Sequence, residues 1–222
     1  MKNSLLALFV AFTFSIEVNA QNKTKFEGVI TYGISFENSG LPTEILDMLK
    51  GSESIIYIKG NKRRIDLNTT VQSTSTFIDD KKKSIATSMD LGEKKYLIKM
   101  TEAEIKSEKE MSPETKIKYI DSTKVIAGYD CKKAEVSRKN SEGLVEVFVV
   151  YYSEKIPNDK MKEVYQGLKG FPLEYSILQS GMKMTFLAKS VSTEVVPDSK
   201  LDLPKEGYIE TTMEELKKTM GQ

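Results

Sequence analysis

The sequence has 222 residues, of which 39% are hydrophobic and 29% charged, and its formal net charge is only +1. A chain so close to neutral lacks the overall basic charge typical of nucleic-acid-binding domains. It contains no His and a single Cys. These counts exclude an internal disulfide and the common zinc sites, because zinc is held mainly by imidazole and thiolate ligands.

The first twenty residues have the pattern of a secretory signal peptide. Lys2 precedes an apolar run from Leu5 to Ile16, and small residues stand before an expected cleavage after Ala20. The run is shorter than the roughly 20 residues that a membrane-spanning helix needs, although an uncleaved anchor is the alternative. Because no Cys lies at the cleavage point, the pattern predicts a periplasmic or secreted chain without a lipid anchor, with one domain over residues 21–222.

Alternation of apolar and polar residues dominates the rest of the chain. In Phe26–Phe36 the apolar side chains fall on one side, as in a strand with one buried face. Similar runs follow at Ser54–Lys59, Arg63–Thr69, Gln72–Ile78, Ser84–Asp90, Lys94–Met100, Thr115–Ile120, Lys132–Arg138, Leu144–Tyr152, Leu173–Gln179 and Met182–Val195. Short turns between them predict an antiparallel meander in a curved sheet that closes or nearly closes, because so long a meander would otherwise leave exposed edges.

Two of these strands have distinctive compositions. Leu144–Tyr152 is apolar on both sides, which predicts a central strand whose second face is covered by a helix. The Thr-rich run from Gln72 to Thr76 has little to bury and is expected to be an outer or edge strand.

Helix signals are few, and they predict short helices that act as a lid on the sheet. Thr101 and Glu104 form a capping box for a helix over Ala103–Glu110. The other predicted helices are Glu44–Lys50, Asn158–Leu168, and Met213–Met220 with Thr211 or Thr212 as its cap. Together the patterns indicate a mainly β chain with a few α-helices.

Large, adaptable side chains are concentrated on one face of the predicted strands. Such a face either packs into a filled core or leaves a cavity for an apolar ligand, and Met suits both because it repacks easily. The candidate lining residues for a ligand are Tyr32, Tyr57, Tyr96, Met100, Tyr175, Met182, Met184 and Phe186.

Motifs for catalysis, cofactors and metals are not found in the sequence. It contains neither a Gly-rich phosphate loop nor a G-x-S-x-G elbow. Cys131 has no His to activate it, so we expect a buried structural residue. We therefore expect no cofactor and no enzymatic activity, with a hydrolase that uses a pair of carboxylates as the alternative.

Two basic clusters lie at predicted turns. They comprise Lys62, Arg63 and Arg64, and Lys81, Lys82 and Lys83. Lysines at such places keep a protein soluble and protect sheet edges. Their alternative role is transient contact with the anionic headgroups of a membrane surface.

The segment Val125–Ala134, with the sequence VIAGYDCKKA, resembles a turn in exported DUF4412-type domains of unknown function, which are related to the GLPGLI proteins. Tyr151–Pro157, Lys169–Leu173 and Pro204–Tyr208 follow in the order typical of that family. The family is similar to the LolA/LppX superfamily of periplasmic lipid and lipoprotein carriers, which are half-open β-barrels with helices at the mouth. The resemblance implies this fold and compartment but no reaction. Many relatives carry an N-terminal lipid on a Cys that this chain lacks.

Three functional hypotheses follow. The first is a carrier that holds a lipid or lipoprotein acyl chain on the apolar face of the curved sheet. The second is an interaction or structural module of the cell envelope with a filled core and no ligand. The third is the carboxylate hydrolase.

Overall fold

The structure is a computed structural model that describes residues 26–37, 43–70, 72–92, 94–111, 115–139, 143–158, 165, 167–179, 182–212 and 214–216. Its strands are β1 (Gly28–Glu37), β2 (Glu53–Lys59), β3 (Lys62–Asn68), β4 (Ser73–Asp79), β5 (Ser84–Asp90), β6 (Lys95–Lys99), β7 (Thr115–Ile126), β8 (Tyr129–Lys139), β9 (Val145–Ser153), β10 (Phe171–Gln179), β11 (Met182–Ser192) and β12 (Ile209–Thr211). Its helices are α1 (Thr43–Leu49) and α2 (Glu102–Met111), with a 3-10 turn at Asp198–Lys200.

All twelve strands belong to one sheet, in the order β12-β6-β5-β4-β3-β2-β1-β11-β10-β9-β8-β7. Two antiparallel meanders, β1–β6 and β7–β11, are joined where β1 pairs with β11, for example at Ile34 and Phe186. The strands at the two ends of this order do not pair with each other, so the sheet is curved but open. The predicted fold class, mainly β with a few short helices on a curved antiparallel sheet, is confirmed.

The strand predictions differ from the structure most at three places. β7 continues to Ile126, beyond the predicted end at Ile120, because a register shift between Ile120 and Thr123 breaks the alternation. β12 is only three residues long, too short to give a periodic signal, and pairs in parallel with β6. The prediction that the Thr-rich run is an edge strand is wrong, since β4 lies between β3 and β5.

The hairpin turn after β7 and two helix caps have the geometry that their residues favour. Ala127 and Gly128 both have positive φ, 48° and 81°, as a two-residue hairpin of type I′ requires. Thr101 and Glu104 make the predicted capping box, in which the Thr101 amide donates to the Glu104 carboxylate at 2.7 Å and the Glu104 amide donates to Thr101 Oγ1 at 3.2 Å. Thr212 caps residues 214–216 in the same way.

Several predicted segments fall wholly or partly outside the described residues. The signal peptide over residues 1–20 lies there, as does most of the predicted helix Asn158–Leu168 and the end of Met213–Met220. No helix in the described ranges combines the length and apolar character needed to cross a bilayer.

The two faces of the sheet are buried in different places. Cross-strand pairing places Tyr32, Ile56, Val150 and Phe186 on one face, which we call the core face. On this face the strands β1, β2 and β8–β11 carry the main buried cluster. On β4 and β5 the buried side chains lie instead on the other face, which we call the opposite face; they include Phe77. The sheet is therefore covered on different faces in its two halves.

Candidate functional site

Aromatic rings fill the core face where β1, β10 and β11 meet. Tyr175 stacks on Phe186 with ring centroids 4.8 Å apart, and Tyr32 meets the edge of Tyr175 at 5.6 Å. The Tyr32 hydroxyl donates to the Pro172 carbonyl at 2.7 Å, so this buried phenol has a hydrogen-bond partner. These contacts make this part of the core face a packed core.

The connection between β9 and β10 covers this aromatic core. Its described residues Ile156, Tyr165 and Leu168 are buried in the same cluster. The Asn158 side-chain amide donates to the Tyr165 and Leu168 carbonyls at 3.0 and 3.4 Å, and the Tyr165 hydroxyl donates to the Ser176 carbonyl at 3.1 Å. Hydrogen bonds thus hold the described residues Asn158, Tyr165 and Leu168 of this connection in place.

Four of the predicted lining residues come together in this core: Tyr32, Tyr175, Met184 and Phe186. Met182 packs at its margin and is half-buried. The role of all these residues in binding stays a prediction.

The other three predicted lining residues lie apart from the aromatic core. Tyr96 is on the same face but in a separate cluster with Ile98 and Leu216. Met100 is half-buried just after β6. Tyr57 follows Ile56, which is on the core face, so strand alternation places Tyr57 on the opposite face, where it pairs with Arg64. Tyr57 is therefore separated from the rest of the set.

A half-buried apolar strip continues along the core face of β3–β5. It consists of Ile65, Leu67, Ile78, Ile85 and Met89, interleaved with Thr74, Thr76 and Thr87. Unlike the aromatic core, none of these apolar side chains is fully buried. The candidate lining set omitted them, although the alternation from Arg63 to Leu67 places Ile65 and Leu67 on one face.

The segment over residues 193–208, which we call the C-terminal segment, crosses the opposite face. Lys59 Nζ donates to the Val196 carbonyl at 3.0 Å and to Asp198 at 2.8 Å, and Lys62 forms an ion pair with Asp202 at 3.1 Å. A cavity of about 430 Å³ lies between this segment and the sheet; its lining residues include Arg64, Ser75, Phe77, Ser88, Lys205 and Tyr208.

Arg64 connects the sheet to the C-terminal segment. Its Nε donates to Asp66 at 2.6 Å, its Nη2 to Ser75 at 3.2 Å and its Nη1 to the Lys200 carbonyl at 3.3 Å. The guanidinium also lies 5.2 Å from the centroid of the Phe77 ring. Because these contacts use all three nitrogens, the arrangement is a structural clamp.

Replacing Arg64 by Met is expected to lower the free energy of unfolding by about 2 kcal/mol, because the buried Asp66 carboxylate loses its charged donor. Urea unfolding followed by circular dichroism measures this change. Lys50→Met is the control, since it removes only an exposed ion pair with Asp47 and should cost at most about 0.5 kcal/mol. Equal effects of the two substitutions would contradict the role of Arg64 as a clamp.

The basic cluster at residues 62–64 is not an exposed patch. Arg63 is only 3% exposed, and its guanidinium lies 3.4 Å from Asp80. Strand alternation sends Arg63 to the core face while Lys62 and Arg64 point to the opposite face. The predicted membrane contact is therefore wrong for Arg63, whereas Lys81–Lys83 are exposed at the turn between β4 and β5.

The single cysteine is a buried thiol, as predicted. Cys131 has no exposed surface and belongs to the main core cluster. Burial raises its pKa, which disfavours the reactive thiolate form. Within the described ranges, no group of three His, Cys, Asp or Glu side chains is arranged to hold a metal ion.

No family model matches the chain, and no curated protein matches it significantly. Among solved structures, MucB is similar with a TM-score of 0.42 and 10% identity, over 83% of this chain and 60% of MucB. LprF from Mycobacterium bovis has a TM-score of 0.37 and 9% identity, over 78% of this chain and 89% of LprF. A domain from Vibrio parahaemolyticus, described as an outer membrane lipoprotein-sorting protein domain, has a TM-score of 0.35 and 9% identity, over 80% of this chain and 89% of that domain.

This chain spans 60% of the length of MucB. All three likenesses are too distant to assign a function. The resemblance of the sequence to DUF4412-type domains stays a prediction.

Proposed function

We propose that this protein binds a lipid or lipoprotein acyl chain without catalysing a reaction. The bound acyl chain lies along the core face of β3–β5. The observation that carries the proposal is the half-buried apolar strip with Ile65, Leu67 and Met89, which lies beside a filled core on the same face. The packed aromatic core is rigid, and the aliphatic residues beside it keep part of their surface exposed. An acyl chain lying on these residues would bury that exposed surface.

The driving force in this proposal is burial of methylene groups. Each CH₂ removed from water contributes about 0.8 kcal/mol, so affinity increases with the number of methylene groups that the strip covers. A bound acyl chain offers no hydrogen bond to the threonine hydroxyls between the apolar residues. Thr76 and Thr87 already hydrogen-bond each other at 3.3 Å, so covering them leaves neither hydroxyl without a partner. The expected secretory signal would bring such a carrier close to membrane lipids.

The double substitution Ile65→Thr/Leu67→Thr is expected to weaken binding of cis-parinaric acid, a fluorescent fatty acid, by about tenfold, because it removes apolar contact from the strip. Fluorescence titration of the purified protein measures the affinity. Ile55→Thr is the matched control, because Ile55 is also half-buried but lies on the opposite face of the neighbouring strand. Met184 is unsuitable, since it is buried in the packed core.

The alternative function is an envelope interaction module that works without a ligand. The stacked and edge-on contacts among Tyr32, Tyr165, Tyr175 and Phe186 favour it, because they leave that part of the core face filled. This alternative is supported, and the carrier proposal is contradicted, if the wild-type protein does not bind the fatty acid and carries no lipid in native mass spectrometry.

A further inference from the structure

β9 is apolar on both sides, and the described residues of the chain bury only one of them. Val150 and Tyr152 are buried on the core face, as expected for an interior strand. On the opposite face, Val145, Val147 and Val149 are 64%, 60% and 41% exposed. The prediction that a helix covers this second face is therefore wrong. Three β-branched apolar side chains lie in a row on the surface instead.

Lysines lie beside this row on the same face, on the neighbouring strands β8 and β7. Val145 pairs with Lys139 across the β8–β9 ladder, and Tyr151 pairs with Lys133. One strand further, Lys116 pairs with Ser137 and Lys118 with Glu135. We call this surface the valine face; it consists of Val145, Val147, Val149, Lys116, Lys118, Lys133 and Lys139.

The charge around the valine face is mainly positive. Its four lysines and the neighbouring Lys124 accompany two carboxylates on this part of the sheet: Glu135 lies 3.7 Å from Lys118, and Glu174, which pairs with Tyr151, forms an ion pair with Lys124. The whole chain has a net charge of only +1, so the positive charge here is a local concentration. It lies on β7 and β8, at the sheet edge next to the exposed valines.

We propose that the valine face docks on the surface of an anionic lipid bilayer. Exposed aliphatic side chains gain by burial at the boundary between headgroups and acyl chains, while neighbouring lysines attract anionic headgroups. The valines and the lysines extend from adjacent strands of one rigid sheet, so that one orientation brings both to the same plane.

The lysines also argue against a second copy of this chain as the partner. If two copies docked through the valine face, the second copy would bring its own four lysines into the same interface. Like charges in close apposition oppose association. An anionic surface neutralises them instead. This inference does not require that the core face bind an acyl chain.

The test is sedimentation of the purified protein with vesicles made of equal amounts of phosphatidylcholine and phosphatidylglycerol. Wild-type protein is expected to bind these vesicles, to bind phosphatidylcholine vesicles weakly, and to be released by high salt. The substitution Val145→Thr/Val147→Thr/Val149→Thr keeps β-branched residues in the strand and is expected to weaken binding about tenfold. Lys133→Gln/Lys139→Gln is expected to weaken it to a similar extent.

Val195→Thr is the matched control, since Val195 is 83% exposed but lies outside the valine face; its binding should equal that of the wild type. Unchanged circular dichroism shows that each variant is folded. The proposal is overturned if wild-type protein stays in solution, or if the three-threonine variant sediments as well as the wild type. A dimer that this variant dissociates would also overturn it, by assigning the face to a second copy.

Acyl-chain binding on the core face and membrane docking through the valine face can fail separately. Loss of vesicle binding with fatty-acid affinity intact in the three-threonine variant supports docking through the valine face as a distinct property. Vesicle binding by a wild-type protein that does not bind cis-parinaric acid removes the carrier proposal alone.

Discussion

Replacing Gly170 by Ala is expected to lower the free energy of unfolding by about 3 kcal/mol or more, because its backbone packs directly against the end of β9. A Cβ at this position would lie 2.5 Å from the carbonyl carbon of Ser153 and 2.8 Å from the amide nitrogen of Glu154. Both neighbours are backbone atoms that cannot move without disturbing the β9–β10 pairing, in which Phe171 is opposite Ser153. Thermal and urea unfolding measure the loss.

Gly143→Ala is the control for this substitution. Gly143 has a φ of +79°, but a Cβ there would meet nothing within 4 Å. Its cost is therefore limited to the backbone conformation, about 1 kcal/mol. A similar loss in both variants would mean that close packing at Gly170 does not hold the cover over the aromatic core.

Replacing Tyr32 by Ala is expected to destabilise the protein by about 4 kcal/mol, because it opens a cavity beneath Tyr175 and Phe186. Tyr32→Phe keeps the ring and removes only the hydrogen bond to the Pro172 carbonyl, so it should cost about 1 kcal/mol. Urea unfolding separates the two effects. Equal losses in the two variants would contradict the packing role of the ring.

Tyr32 also makes stability depend on pH in the alkaline range. Burial raises its pKa well above the ordinary value of 10.0, and the nearby Tyr175 and Tyr165 add to this shift. The unfolded chain therefore loses the phenolic proton first, so stability is complete below pH 10.0 and falls as the pH rises above it. This fall should be less steep in Tyr32→Phe. Tyrosinate absorbance recorded alongside unfolding checks it.

Of the twelve strands in the described part of the chain, the sequence predicted eleven, because strands with one buried face alternate regularly. It failed where the alternation is broken or uninformative. The bulge in β7 hid its second half, and the order of strands, which makes β4 interior, depends on pairing that composition does not encode. The buried Cys131 was predictable from its residue type alone.

The candidate site was harder to predict than the fold. In β2, Ile55 and Tyr57 alternate with Ile56 and Ile58, so both faces are apolar and the pattern cannot say which one carries Tyr57. Large side chains also drew the prediction towards the aromatic core, which the structure shows to be filled. The half-buried strip on β3–β5 is made of smaller aliphatic residues, whose importance follows only from their shared face.

The central claim is that an acyl chain lies along the core face of β3–β5, and labelling with a fatty acid that carries a photoreactive diazirine tests it most directly. After illumination, proteolysis and mass spectrometry locate the attached probe. The account predicts attachment to the peptides that contain Ile65, Leu67 and Met89, reduced by an excess of unlabelled fatty acid. Attachment confined to the exposed valines of β9, or the absence of competable labelling anywhere in the chain, would contradict it.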